Sequence, residues 1–222
     1  MNKALHCRPK WGFGHEPGCV LALPFKYLDG DSFTDSSVYG HLCTNYGSKW
    51  QLAGRFFDGV DDYVDCGNAP SLNITEAITI EAWVKASDTT DGPIVTKNYV
   101  TGGELPYDLR VQSGNAYFST YQDGVQRFKI GKQMSANVWH HVVGTFNKAL
   151  GSANAKIYVD GVLGETANYT GNLGVNAQNL RIGCYPYGAT YFIGLIDEVR
   201  ICNRTLSEEE GKAHFSGARV PK

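Results

Sequence analysis

The chain has 222 residues, with 20 Lys and Arg against 22 Asp and Glu, 26 glycines, 13 tyrosines and 19% charged residues. A formal net charge of −2 gives no electrostatic footprint for nucleic acid or an anionic membrane surface. No stretch approaches the apolar length of a membrane-inserted helix, and no heptad or long helical period occurs.

Residues 1–18 are rich in Gly, Pro and basic groups and contain no apolar core of a secretory signal. They read as an irregular arm, and residues 19–222 read as a single domain without a linker. Val20–Phe25 (VLALPF) is the first strand, with Pro24 at an edge or bulge. Leu28–Trp50 is dominated by Asp, Ser, Asn and Gly and reads as a long loop that something must tie down, a bound ion being one way. Arg55–Asn68 (RFFDGVDDYVDCGN) reads as a hairpin turning at Asp58-Gly59. Ala77–Ala86 alternates cleanly, with Ile78, Ile80, Ala82 and Val84 on one face. Pro93–Lys97 is a further strand. Hairpins follow at Ser113-Gly114-Asn115, Asp123-Gly124 and Asp160-Gly161, and Asn137–Asn147 reads as a strand covered on both sides. Asn179–Cys184 and Phe192–Ile201 supply the last strands. Ser207 and Glu210 fit a capping box that opens a short helix. Many short strands joined by Gly, Asn and Asp turns predict an all-β sandwich or barrel. Six cysteines (Cys7, Cys19, Cys43, Cys66, Cys184, Cys202) include no C-x-x-C pair, which disfavours a zinc or redox motif and leaves disulfides open.

Two acids stand out. Period two places Asp197 on one face with Ile193, Leu195, Val199 and Ile201. A carboxylate there needs an ion partner, several hydrogen bonds or a metal, unless a bulge shifts the register or an arginine such as Arg55 or Arg181 pairs with it. Asp58 ends an aromatic strand in a turn crowded with Asp61, Asp62 and Asp65. Oxygen clusters of this kind favour Ca²⁺, although exposed turn acids need no ion.

The segments Phe57–Val64, Ile78–Lys85, Trp139–Phe146, Ile157–Gly161, Leu180–Gly183 and Phe192–Ile201, in this order and spacing, resemble the signature of laminin-G-like jelly rolls. These belong to the concanavalin A-like lectin/glucanase fold. The resemblance implies a two-sheet antiparallel jelly-roll sandwich with a short C-terminal helix. It also implies a structural Ca²⁺ on Asp58 and Asp197. Asp35 is a further ligand, in a loop (Asp35-Ser36-Ser37-Val38-Tyr39-Gly40-His41) that lacks the Asn common in relatives.

Glucanases of this fold carry closely alternating carboxylates of the Glu-x-Asp-x-x-Glu kind, and no such run is present. Glu81 and Glu198 read as structural acids. His140 and His141 face opposite sides of a strand and cannot chelate one ion together. The expectation is a non-enzymatic, lectin-like module that binds glycan or a cell or virion surface at an extracellular or particle-surface location. Tyr185, Tyr187, Tyr107, Asn98 and Glu104 are its candidate ligand contacts, since a pyranose needs aromatic platforms beside hydrogen-bonding groups. The alternative is a structural or assembly protein, such as a viral capsid or tail decoration, held as a homo-oligomer through residues 1–18.

Overall fold

A computed structural model describes residues 13–97, 105–122, 125–185 and 190–217. The first strands are β1 (Cys19–Leu23), β2 (Ser32–Thr34), β3 (Leu42–Tyr46), β4 (Lys49–Gln51), β5 (Gly54–Asp58) and β6 (Tyr63–Asp65). The middle ones are β7 (Ala77–Ala86), β8 (Asp91–Lys97), β9 (Leu105–Gln112), β10 (Asn115–Gln122), β11 (Val125–Gln133) and β12 (His140–Asn147). The last are β13 (Ala155–Val159), β14 (Val162–Ala167), β15 (Leu180–Ile182), β16 (Cys184–Tyr185), β17 (Thr190–Tyr191) and β18 (Ile193–Cys202), followed by helix α1 (Glu208–Gly217).

Two eight-stranded antiparallel sheets carry the fold. The first runs β14-β13-β12-β7-β18-β5-β4, with β1 also paired to β18; the second runs β11-β10-β9-β8-β15-β6-β3-β2. The alternation of β7 delivers what its pattern predicts. Ile78, Ile80, Ala82 and Val84 are fully buried between the sheets, while Thr79, Glu81 and Trp83 point outward. Phe57, Phe118, Phe146 and Phe192 join them in one core, each burial contributing about 1.5–3 kcal/mol.

The predicted capping box forms. Glu210 N–H donates to Ser207 Oγ at 3.1 Å, and Ser207 N–H donates to Glu210 Oε2 at 2.8 Å. Helix α1 then lies on the outer face of the first sheet. Phe215 stacks on Trp83 with ring centroids 5.9 Å apart, and His214 Nδ1 meets the Glu81 carboxylate at 3.1 Å. Glu81 also pairs with Arg200 and with His141 Nε2 at 3.4 Å. Burial opposes its charge, but these cationic and N–H partners prevail and hold its pKa well below the usual range.

Residues 13–18 cover the same outer face. The Arg200 guanidinium lies 4.2 Å from the Phe13 ring centroid, and Arg204 Nε donates to Pro17 O at 2.7 Å. The rest of the expected arm lies outside the described residues.

Two expectations are corrected. The stretch 28–50 is not one loop but contains β2, β3 and the start of β4, short strands of which β2 and β4 form sheet edges. Asp197 does not point between the sheets. A bulge separates it from Arg200, Glu198 adopts φ 49°, and the core-facing residues become Ile196, Val199 and Ile201. Asp197 is the direct partner of Trp83, on the outer face of the first sheet, and is buried there beside Lys26.

Candidate functional site

Helix α1 and residues 13–18 lie on the outer face of the first sheet, and the outer face of the second carries the polar side chains. Its strands bring one polar residue each into direct register. Lys129 is opposite Ser119, which is opposite Asp108, then Thr96, Arg181, Asp65, Thr44 and Ser32. Directly opposed residues share a face. The row therefore crosses all eight strands without an apolar member. One residue along, Ile130, Phe118, Leu109, Val95, Ile182 and Val64 are matched in the same way, and all are in the core. A single step of register thus separates the packed surface from the polar one.

At the centre of the row Ser119 and Asp108 bond each other, while the buried Thr96 Oγ1 has no partner. Asp108 is buried, yet its Oδ2 accepts from Ser119 Oγ at 3.0 Å and its Oδ1 accepts from the Tyr185 hydroxyl at 2.7 Å. Arg110, two residues on and therefore on the same face, places Nε 3.4 Å from Asp108 Oδ2 and donates from Nη1 to Tyr185 Oη at 3.1 Å. Burial pushes the Asp108 pKa up against the pull of Arg110, Tyr185 and Ser119. Burial also pushes the Tyr185 hydroxyl well above its ordinary value, with the Asp108 charge adding to it. The β16–β17 hairpin reaches this sheet through Tyr185.

Aromatic rings flank the row on both sides. Tyr46 and Tyr63 stack with centroids 4.4 Å apart and planes 11° from parallel, and the Arg181 guanidinium lies 4.7 Å from the Tyr63 centroid. Arg181 is also held by Asp65, Nε to Oδ2 at 3.3 Å, and Asn179 donates to the same carboxylate at 2.9 Å. On the far side Lys129 Nζ sits 4.0 Å from the Tyr117 centroid. On the opposite face, one residue beyond Thr96 and paired with the core residue Leu180, Lys97 is buried with its ammonium on Asn68 Oδ1 and Gln178 O, and burial pulls its pKa down to about 8. A surface of ring faces beside fixed donors and acceptors can meet both the apolar face and the hydroxyl edge of a sugar.

Residues 58–210 match the Laminin G family model described as the concanavalin A-like lectin/glucanases superfamily. The chain belongs to that superfamily. No curated protein matches its sequence. Among solved structures, the botulinum neurotoxin serotype G binding domain is similar over 89% of this chain and 50% of its own, at 14% identity and TM-score 0.71. The botulinum neurotoxin serotype D ligand binding domain in complex with N-acetylneuraminic acid is similar over 90% of this chain and 51% of its own, at 15% identity and TM-score 0.72. A Trypanosoma rangeli sialidase is similar over 89% of this chain and 32% of its own, at 17% identity and TM-score 0.65. The chain spans about half the length of the neurotoxin domains it matches.

Within this lectin/glucanase scaffold the expected contact residues divide. Tyr185 is on the polar face. Tyr107 is not a loop residue: it lies in β9, fully buried, and donates its hydroxyl to Leu72 O at 2.8 Å as part of the core. Asn98, Glu104 and Tyr187 lie outside the described residues. Arg110, Arg181, Ser119 and Tyr63 were not anticipated. The signal available was the alternation of 105–112, which sets Asp108, Arg110 and Gln112 against Tyr107, Leu109 and Val111.

The three expected metal ligands are not brought together. Asp58 is opposite Ile193, four residues along β18 from Asp197, a separation of about 13 Å that no single ion bridges. Asp35 is buried and already serves three backbone N–H groups, Ala22 and Ser37 on Oδ1 and His41 on Oδ2. It ties its loop with its own side chain. Asp197 Oδ1 accepts from Lys26 and Glu198 N–H, whereas Oδ2 is buried without a partner. Arg55 bonds Ser48 O and Leu28 O, and Arg181 bonds Asp65, so neither arginine neutralises Asp197. Asp58 instead converges with Asp61 and Asp62, one carboxylate oxygen from each lying within 4.8 Å of the others.

Proposed function

We propose that the chain is a non-enzymatic carbohydrate-binding module, lectin-like, which takes its glycan on the polar face of the second sheet. The observation that carries this reading is the polar row from Lys129 to Ser32, buried at its centre in Ser119, Asp108 and Thr96 but reached by solvent where Arg181, the Tyr46–Tyr63 stack and Tyr117 flank it. Cross-strand side chains on a paired sheet are held in place before a ligand arrives, which lowers the ordering cost of binding. Similar solved structures, a botulinum neurotoxin receptor binding domain and a ligand binding domain in complex with N-acetylneuraminic acid among them, point the same way. An extracellular or particle-surface location follows from such a role.

Carboxylate spacing supports a binding role over hydrolysis. Asp108 and Asp65 sit three strands apart, about 14 Å, well beyond the pair separation of either glycosidase mechanism. Asp108 is moreover engaged by Ser119, Tyr185 and Arg110.

The Ca²⁺ of the reading is assigned to Asp58, Asp61 and Asp62, whose all-oxygen donor set suits a hard cation. Asp62 fits such a role because its pKa is raised by burial and by the Asp58 and Asp61 charges, a repulsion a cation would offset.

A glycan array read with and without chelator tests the proposal. Binding that is lost in Arg181→Ala and Tyr63→Ala, with the fold kept, is the expected result. Array silence, or binding indifferent to both changes, refutes it. The assembly alternative has one observation in its favour, the exposure of Val38 (75%), Tyr39 (52%) and Leu42 (67%) in one short segment. Sedimentation of wild type against Leu42→Lys distinguishes it: a stable oligomer dispersed by that change, with no glycan bound, favours assembly.

A further inference from the structure

Two pairs of cysteines face each other across neighbouring strands, one pair in each sheet. Cys19 of β1 is the direct partner of Cys202 of β18, and the two sulfurs and a Glu16 carboxylate oxygen lie within 4.8 Å of one another. In the second sheet Thr44 of β3 is opposite Asp65 of β6, and one step further places Cys43 opposite Cys66. Cys19 Sγ donates to Leu21 O at 3.3 Å and Cys43 Sγ to His41 O at 3.7 Å, and in each pair the neighbouring thiol raises its partner's pKa. Directly opposed residues of antiparallel strands have Cα atoms about 4.5–5.5 Å apart, inside the range a disulfide spans.

We propose that these are two covalent modification sites, Cys19–Cys202 and Cys43–Cys66, each joined as a disulfide where the chain meets a disulfide oxidant. For each bond two thiols give up two protons and two electrons. One S–S bond forms in the chain while the S–S bond of the oxidant, a small-molecule or protein disulfide, breaks to two thiols. Geometry sets the timing. All four cysteines are at most 3% exposed, and in Cys66 and Cys202 the contact with the partner thiol, then burial, raises the pKa. Since the thiolate is the attacking species, the bonds form while the strands are still assembling and resist exchange once enclosed.

The bonds have distinct mechanical roles. The first fastens β1 to the central part of the first sheet. The second ties the outer pair β2–β3 to the end of β6, the strand that carries Asp65 and Tyr63. Cys184 is left over, since its cross-strand partner is Tyr191, and Cys7 lies outside the described residues. A metal on Glu16, Cys19 and Cys202 is the competing use of that corner. It is disfavoured by the Arg200 guanidinium, whose Nε stands 3.5 Å from Glu16 Oε1. Disulfides of this kind belong to oxidising compartments.

The test is refolding of the full chain in a mixture of oxidised and reduced glutathione, then alkylation under denaturant without reduction, proteolysis and mass spectrometry. Linked peptides Cys19–Cys202 and Cys43–Cys66, each two hydrogens lighter than its separate parts, with Cys184 alkylated, are expected. The oxidised wild type should melt about 5–15 °C above the Cys19→Ala/Cys202→Ala variant, and the gap should shrink when both are held in reductant. Alkylation of all four cysteines, links between other partners, equal melting in both conditions, or one zinc per chain released on thiol titration would each overturn the proposal.

Discussion

Tyr185 donates its hydroxyl hydrogen to Asp108 across 77 residues of sequence, at 2.7 Å. This bond fastens the β16–β17 hairpin to the middle of the second sheet, and Arg110 completes the group by donating to the same phenol oxygen. Tyr185→Phe removes the donor while leaving a buried carboxylate oxygen exposed to nothing. The expected cost is about 1–3 kcal/mol of stability, read as a lower midpoint in urea with an unchanged slope. Ser119→Ala should behave alike and more mildly.

Arg181 lies on the Tyr63 ring and is held there by Asp65. Arg181→Lys keeps the charge but loses the planar stacking on Tyr63 and the side-on contact with Asp65. Glycan affinity is expected to fall about three- to tenfold in Arg181→Lys and further in Arg181→Ala, with thermal stability altered by about 1 kcal/mol or less. Isothermal titration with whichever glycan the array returns provides the check.

Asp197 makes stability depend on pH. Burial lifts its pKa from 3.8 to about 6, against the pull of the Glu198 N–H. The native state therefore holds this proton more tightly than the unfolded chain. The contribution is fully present below about pH 3.8 and is lost as pH rises through about 6, amounting to at most about 3 kcal/mol. Asp197→Asn removes the dependence, so the variant should gain on wild type as pH climbs from 4 to about 7, measured as the difference in unfolding free energy. A variant less stable than wild type at neutral pH, with the deficit cancelled by chelator, would instead mean that a cation satisfies Oδ2.

Calcium removal addresses the turn acids. With Ca²⁺ at about a hundred times its Kd, linkage adds about 2.7 kcal/mol, so EDTA should lower the melting temperature by several degrees. Asp58→Asn with Asp61→Asn should abolish the difference between chelated and calcium-loaded protein. An identical melt with and without chelator in the wild type counts against the ion.

Much of the scaffold was legible because its signals are local. The β7 alternation, the Asp160-Gly161 turn, where both residues take positive φ, and the Ser207–Glu210 cap each depend on a few neighbouring residues. The polar row was not legible. It depends on register between strands as distant as Ser32 and Lys129, and no spacing along the chain encodes which residues end up opposed. Asp197 was misplaced for a related reason: the extra residue at Glu198 flips the face on which the strand continues, and counting by twos does not reveal it. The strands between 32 and 51 are three to five residues long and partly exposed, so their turn-rich composition masked them.

Phe13 and Phe215, near the two ends of the described chain, both rest against the outer side of the first sheet. Tyr63, Arg181 and Tyr117 belong to the second sheet and look the opposite way. One sheet is thus padded by aromatic rings from both the early and the late part of the described chain, and the two faces of the sandwich divide the labour of holding the fold and meeting solvent.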